Sequence, residues 1–148
     1  MVLAKKVGWG VAAAALLAVG AAIAADGVKL EGIKCLIAGG KAAKAEHAVD
    51  YKGGKVFFCC PNCPKSFSAD PAKFAAKANH QLFATGQAKQ TACPLTGEAV
   101  DSATKVKVGG VEVAFCCDMC KAQAEQAQDP VSVVFSDKAF EKGFKVGK

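Results

Sequence analysis

The stretch KVKVGGVEVAFCCDMC, residues 105–120, determines more of the fold than any other part of the chain. Polar and apolar residues alternate on both sides of Gly109-Gly110, and a two-residue glycine turn between alternating segments is typical of a β-hairpin. The returning strand ends at the pair Cys116-Cys117, and Cys120 follows after two more residues. We therefore expect a hairpin that brings a tight group of cysteines to its end.

The same arrangement occurs earlier in the chain, so the sequence contains an internal repeat. In each copy a single cysteine is separated from the next cysteine by 23 residues in the first copy and 22 in the second, and that next cysteine belongs to the motif Phe-Cys-Cys-x-x-Cys. The copies are offset by 58 residues at the first cysteine and by 57 at the others, which predicts two modules of similar structure. The eight cysteines are Cys35, Cys59, Cys60 and Cys63 in the first copy, and Cys93, Cys116, Cys117 and Cys120 in the second.

Helices are expected after each cysteine cluster, over residues 65–69 and 121–128. In the first copy Asp70 can cap a further helix, because the proline that follows it would occupy the first helical position. In the second copy the β-branched run 131–135 disfavours a helix, so the helix is expected to restart later with Ser136 as its cap. Each copy is therefore expected to be a small α+β unit.

The first 24 residues have the parts of a secretory signal peptide. Lys5 and Lys6 precede an alanine-rich apolar run that ends in Ala22-Ile23-Ala24, a pattern of small residues typical of a cleavage site. The run is long enough to remain as a membrane anchor, but its alanine and glycine make it weakly hydrophobic. We expect cleavage, an exported protein in the periplasm or outside the cell, and no membrane contact after cleavage.

The exported part is expected to form two very small cores rather than one larger core. Cores of this size need metals or disulfides for stability. A polar segment of small residues between the two copies is expected to link them. The predicted boundaries are 1–24 for the signal peptide, 25–32 for an N-terminal lead, 33–80 for module 1, 81–91 for a linker and 92–148 for module 2.

The composition excludes several classes of protein. Of the 148 residues 52% are hydrophobic and 22% are charged, which excludes a disordered charged tail. All 19 basic residues are lysines, and without arginine the net charge of +6 is a poor indication of nucleic-acid binding. The sequence contains no catalytic triad order, paired-carboxylate motif or phosphate-binding glycine loop, so we do not expect an enzyme.

Cysteine thiolates in this pattern indicate a soft metal ion. A strand that turns into a helix projects closely spaced thiolates toward one point, and the distant loop cysteine can close a tetrahedral site from the other side. Four sulfurs leave no position for water, so such a site is structural or serves storage. Soft thiolates select zinc or monovalent copper over calcium or magnesium, and we expect one ion per module.

The fourth ligand of each site stays open at this point. On a regular strand Cys59 and Cys60 would face opposite sides, so that only one would bind, whereas at a turn both could. The same choice exists between Cys116 and Cys117. His47 is an alternative for the first site alone, but the second copy has no histidine, so the repeat favours sulfur in both.

The first copy carries a resemblance to a known family. Its run YKGGKVFFCCPNC, residues 51–63, followed by Phe67 and Asp70-Pro71, resembles the TRASH and YHS metal-binding domains, including tandem forms in exported bacterial proteins. In the second copy Ala124 stands where the first has Phe67. The resemblance implies two treble-clef-like modules, each a β-hairpin followed by short helices around a cysteine cluster. The metal-facing residues that it implies are Cys35, Cys59 and Cys63, and Cys93, Cys116 and Cys120, while Cys60 and Cys117 take the place of a serine.

Two other interpretations use the same cysteines. In an exported chain the four cysteines of each copy can pair as disulfides, which would make each module a stapled surface for a protein partner. Cys60 and Cys63 also have the Cys-x-x-Cys spacing of thiol–disulfide redox proteins, but no βαβ pattern precedes them. We favour an exported zinc- or copper-binding protein that sequesters or senses the metal, or transfers it to a protein partner.

Overall fold

The computed structural model describes residues 28–147. The predicted signal peptide lies outside the described residues, as do residues 25–27 of the N-terminal lead and Lys148. The described chain is a mixed α+β fold in which hairpin sheets and short helices surround two cysteine clusters, and this confirms the predicted fold class. Within residues 28–147 no helix is both long enough and apolar enough to cross a membrane.

The two modules share one order of elements: a hairpin, a helix directly after the cysteine cluster, further helical segments and a short closing strand. In module 1 these are β1 (Lys44–Tyr51), β2 (Gly54–Phe58), α1 (Asn62–Ala69), a 3-10 helix (Ala72–Phe74), α2 (Ala75–Ala84) and β3 (Ala88–Gln90). In module 2 they are β4 (Asp101–Val108), β5 (Val111–Phe115), α3 (Asp118–Glu125), α4 (Pro130–Val134), α5 (Asp137–Gly143) and β6 (Phe144–Val146).

The hairpin predicted at Gly109-Gly110 is confirmed. The valines on either side pair across the turn, and the two glycines have φ angles of 60° and 92°, the left-handed values that this two-residue turn requires. In module 1 the turn lies at Lys52-Gly53, the positions equivalent to Gly109-Gly110 in the repeat, and Gly54 belongs to β2. A Cβ atom on Gly54 would lie 2.7 Å from Leu82 Cδ2, so this glycine is required by packing rather than by the turn.

The helices after the cysteine clusters begin earlier than the sequence indicated. Helix α1 begins at Asn62 and α3 at Asp118, each three residues before the expected start. As a result Cys63 and Cys120 lie in the first turn of a helix, and the strand leads into the helix almost directly. This short connection holds the cysteines of each cluster close together.

The prediction that residues 131–135 would not be helical is wrong, because α4 covers Pro130–Val134. Asp129 caps this helix by accepting hydrogen bonds from the backbone N–H and the hydroxyl of Ser132, at 3.2 and 2.6 Å. Capping and the complete burial of Val134 outweigh the weak helix propensity of the β-branched residues. The predicted cap at Ser136 is confirmed, since its Oγ accepts from the N–H of Ala139.

The segment predicted as a linker, residues 81–91, has regular structure over much of its length. Helix α2 continues to Ala84, and β3 pairs antiparallel with β6 at the end of module 2. Leu82 is completely buried in the shared core. The connection between the two copies is therefore largely regular structure, and the boundaries of the domains, including the linker, stay a prediction.

Three glutamines of this segment hydrogen-bond to the outer edges of the hairpins. The side-chain amide of Gln81 accepts from the N–H of Phe57 at 2.7 Å and donates to its carbonyl at 3.0 Å. Gln87 makes the same pair of bonds to Lys55 in β2, and Gln90 makes it to Ala114 in β5. An amide carries one donor and one acceptor group, so each glutamine takes the place of a neighbouring strand.

The two modules contact one another through equivalent parts. Lys52 in the turn of the first hairpin pairs with Asp137 at the start of α5, with Nζ and Oδ1 2.6 Å apart. The equivalent positions in the repeat, 57 residues away, are Gly109 and His80, and these also meet: a Cβ atom on Gly109 would lie 2.6 Å from His80 Nε2. Together with the pairing of β3 and β6, this makes the interface reciprocal, as in a two-fold dimer.

Candidate metal centre

Three sulfur atoms converge in each module. The Sγ atoms of Cys35, Cys59 and Cys63 all lie within 4.8 Å of one another. The Sγ atoms of the second triad, Cys93, Cys116 and Cys120, meet the same limit. We name these groups triad 1 and triad 2. The cysteines that the family resemblance implied as metal-facing are therefore brought together in both modules.

The spacing of the sulfurs fits a metal ion. A tetrahedral ion with metal–sulfur bonds of about 2.3 Å needs sulfur atoms about 3.8 Å apart, and a planar three-coordinate ion needs about 4.0 Å. The Sγ atoms of Cys59 and Cys63 are 3.8 Å apart, and those of Cys116 and Cys120 are 3.7 Å apart. One pair of sulfurs in each triad therefore already has the separation expected around an ion, and the third sulfur lies within 4.8 Å of both.

Each sulfur of a triad comes from a different element of its module. The first lies in a loop before the hairpin, the second follows the returning strand β2 or β5, and the third lies in the first turn of α1 or α3. Sulfurs from three separate elements can surround an ion rather than line one side of it. The whole module therefore has to fold before the triad forms, which is typical of sites that couple binding to folding.

The loop cysteines begin similar turns. The carbonyl of Cys35 accepts from the N–H of Gly39, and that of Cys93 accepts from the N–H of Gly97. The N–H of Cys35 then donates to a carbonyl six residues on, at Lys41, whereas the N–H of Cys93 donates to one five residues on. This turn is one residue shorter in module 2, and the difference explains why the offset of the repeat falls from 58 to 57.

Within each triad the loop cysteine is the one whose pKa is lowered, which favours the thiolate form. Burial raises the pKa of Cys93, but hydrogen bonds from the backbone and hydroxyl of Thr96 outweigh it and bring the pKa to about 7. For Cys35 burial likewise raises the pKa and is outweighed by backbone hydrogen bonds, foremost that of Ala38, whose N–H lies 3.5 Å from the sulfur. The backbone turn thus orients and activates the first ligand of each triad.

The helix cysteines have the opposite shift. A hydrogen bond with Cys60 raises the pKa of Cys63, and burial adds to the effect. Burial is the main cause that raises the pKa of Cys120. These thiols therefore hold their protons more firmly, and an ion bound at either triad would have to displace them.

Cys60 and Cys117 lie outside the triads but next to them. The half-buried Cys60 places its Sγ 3.2 Å from that of Cys63. The exposed Cys117 places its Sγ 3.7 Å from that of Cys116. Both positions are close enough for a side-chain rotation to bring a fourth sulfur to the metal, and their role as ligands stays a prediction.

The histidines lie elsewhere. His47 on β1 belongs to neither triad, and its Nε2 is 3.5 Å from Glu46 Oε1. His80 packs against Phe135 at the contact between the modules, with ring centroids 5.0 Å apart. Both arrangements support sulfur, rather than nitrogen, as the ligand at the two sites.

Sequence reasoning missed one polar neighbour of triad 2. The hydroxyl of Thr96 lies 3.3 Å from the Sγ of Cys116. Thr96 follows Cys93 by three residues, in the turn that also provides the backbone hydrogen bond to Cys93. The short Cys-Pro-Leu-Thr segment was the available signal, because a hydroxyl in a turn after a ligand can hydrogen-bond to the site.

None of the eight cysteines, all within the described residues, forms a disulfide. Comparison with known proteins gives no further assignment: no protein family, curated protein or solved structure matches the chain. The resemblance to TRASH and YHS domains thus rests on the residues that carry it. The structure itself provides two buried three-cysteine clusters with the spacing of metal sites.

Proposed function

We propose that this is an exported heavy-metal-binding protein that holds one zinc or copper ion in each module through cysteine thiolates. The observation that carries the proposal is the sulfur spacing of 3.7 to 3.8 Å, found twice in equivalent positions. Chance burial of cysteines does not favour this separation at both ends of a repeat. A metal ion also offsets the cost of burying three thiolates together.

The chemistry of the ligands restricts the metal. Both triads consist of sulfur, and soft thiolates favour zinc and monovalent copper over calcium and magnesium. Zinc in a structural site takes four ligands, so it requires Cys60 or Cys117 in addition to the triad. Monovalent copper is satisfied by the three sulfurs alone. The participation of the outer cysteines therefore distinguishes the two metals.

The role that we infer is sequestration, sensing or transfer of the metal rather than catalysis. A site closed by sulfur ligands has no position for a substrate or a reactive water. The predicted signal peptide, together with the resemblance to exported tandem TRASH and YHS domains, supports a periplasmic or secreted location. A protein partner that supplies or receives the ion is expected if the role is transfer.

Mass spectrometry under non-denaturing conditions tests this function on the chain without its predicted signal peptide. We expect two metal ions per chain, and replacement by cobalt should give thiolate charge-transfer and tetrahedral ligand-field bands. A protein without metal that is lighter by eight hydrogens, one for each cysteine, would instead establish four disulfides. An octahedral cobalt spectrum would exclude thiolate ligation.

A disulfide-stapled interaction module is the second candidate, and the close approach of the Cys60 and Cys63 sulfurs at 3.2 Å favours it. A thiol titration separates the two functions. Cysteines bound to metal react with a thiol reagent once a chelator is added, without any reductant. Cysteines in disulfides react only after reduction.

A further inference from the structure

The two metal sites differ in how their sulfurs reach the surface. In module 1 the outer cysteine, Cys60, is half-buried, and every cysteine of its triad is at most 9% exposed. In module 2 the corresponding cysteines are more exposed to solvent. The triad member Cys116 is half-buried, and the outer cysteine, Cys117, is exposed. The second site is therefore the more open of two sites with the same internal geometry.

A second exposed sulfur-containing residue, Met119, lies two residues after Cys117 in the chain. Met119 is 82% exposed, and no other large apolar residue of residues 28–147 is as exposed. Single exposed apolar side chains are common on protein surfaces, so the informative property of Met119 is its exposed thioether beside the cysteines of module 2. The equivalent residue of module 1 is Asn62, which has no sulfur. A thioether is a soft ligand for the metals that thiolates select.

The sulfurs of module 2 form a continuous series from the surface to the interior. Cys117 Sγ lies 3.7 Å from Cys116 Sγ, which lies 3.7 Å from Cys120 Sγ. Cys93, the remaining sulfur of triad 2, is completely buried. Successive ligands at this separation allow an ion to form its next bond before the previous bond is broken.

We propose that module 2 exchanges its metal through Cys117 and Met119, with thiol compounds as donors and acceptors, whereas module 1 retains its ion. This inference rests on the proposed function. The exposed sulfurs receive the ion first and release it last. Module 1 lacks this entry, because Asn62 replaces the methionine and Cys60 is withdrawn toward Cys63.

The exchange is a ligand substitution without oxidation or reduction. During release, the thiol of the acceptor forms a metal–sulfur bond and loses its proton, while the bond between the metal and a cysteine of module 2 breaks. The cysteine that leaves takes up a proton, so charge and mass balance. Uptake is the reverse reaction, and Cys117 is the first cysteine to displace the thiol that carries the ion.

The test uses the chain without its predicted signal peptide, loaded with cadmium, whose NMR signals distinguish the two sites and whose thiolate absorbance reports release. The dithiol dimercaptosuccinate serves as the acceptor. We expect the wild-type protein to lose cadmium from module 2 at least about tenfold faster than from module 1, a change of the size seen when groups next to a metal ligand are altered. Cys117→Ser should retain two ions and reduce the faster rate to about that of module 1.

Two further variants complete the test. Met119→Leu preserves size and removes the sulfur, and it should slow exchange less than Cys117→Ser. Cys60→Ser is the matched control in module 1 and should leave the rate at module 2 unchanged. Equal rates for wild type and Cys117→Ser with two ions bound would overturn the exchange role alone, as would loss of the ion from Cys117→Ser, since Cys117 would then be a full ligand. A wild-type chain that binds no cadmium would overturn the proposed function as well.

Discussion

Module 1 and module 2 place three sulfurs in nearly the same geometry within different surroundings. In module 1 the buried ring of Phe67 in α1 contacts Tyr51 and Phe58, with centroids 5.4 and 5.5 Å away. In module 2 the equivalent residue is Ala124, which is also completely buried but contributes only a methyl group. The site geometry therefore depends on the cysteine positions and the hairpin, whereas the stability around the site depends on packing that the two copies do not share.

The largest effect on this comparison is expected from removing a ligand. Cys63→Ser should release the ion of module 1 and unfold the elements around it, because metal-binding energy is also folding energy in a site this small. The matched variant Cys60→Ser should have a milder effect. A metal count and a thermal melt on both variants provide the measurement.

The two variants of module 1 also decide the number of ligands. Equal losses of metal in Cys63→Ser and Cys60→Ser would establish Cys60 as a full ligand and favour zinc. Retention of the ion by Cys63→Ser would contradict the assignment of triad 1. The two modules share a core, so the melting temperature of the whole chain should fall. Triad 2 keeps its own three cysteines, so its ion should stay bound below that temperature.

The next effect concerns the packing difference. Phe67→Ala should cost about 3–5 kcal/mol of unfolding free energy, because it removes a buried ring and leaves a cavity. Ala124→Phe, the converse change, should also destabilise the protein, by about 1–3 kcal/mol, because α3 has no space prepared for a ring. Denaturant unfolding of the metal-loaded protein measures both. Stabilisation by Ala124→Phe would instead show that α3 has space for an aromatic ring at this position, as α1 has for Phe67.

The smallest effect concerns the contact between the modules. The hydrogen bond from Lys52 lowers the pKa of Asp137, and a second bond from Asn79 assists it. This lowered pKa stabilises the folded state above the unfolded value of about 3.9, and the contribution is lost as the pH falls through the folded-state pKa. Asp137→Asn should therefore cost about 1 kcal/mol at neutral pH, the size expected for a partly exposed pair.

Thermal melts across the pH range check this expectation. The wild type and Asp137→Asn should differ at neutral pH and become alike in acid. Asp50→Asn is the control, because Asp50 pairs with Lys55 within one hairpin and its side chain is 84% exposed. A difference between wild type and Asp137→Asn that persists in acid would show that the charge of Asp137 is not what stabilises the contact.

The hairpins and the clusters were predictable because their signals are local. Alternation around Gly109-Gly110 fixes the register of β4 and β5, and the cysteine spacing then places the ligands at the ends of the strands. The role of residues 81–91 was not predictable in this way. Gln81 and Gln90 are ordinary polar residues in sequence, and their partners Phe57 and Ala114 lie 24 residues away in opposite directions. Only the folded chain reveals these bonds.

Helix α4 is a second element that the sequence alone did not predict. Its β-branched residues are poor helix formers, and the sequence alone did not reveal how strongly Asp129 would cap them. The decisive contribution is burial of Val134 and Phe135 in a core to which both modules contribute. Predictions made from one copy of the repeat therefore miss helices and strands that are stabilised by packing against the other copy.

The reciprocal contacts between the modules have a consequence for the descent of the chain. A gene encoding one copy would produce a protein that obtains these contacts from a second molecule, as a homodimer with two identical cysteine clusters. Duplication and fusion of that gene yields the present arrangement. After fusion the two copies no longer need to have the same sequence. Lys52 and Asp137 therefore form an ion pair at one contact, whereas Gly109 and His80 meet at the equivalent contact without an ion pair. The same freedom permits the two outer cysteines to differ, with Cys60 half-buried and Cys117 exposed.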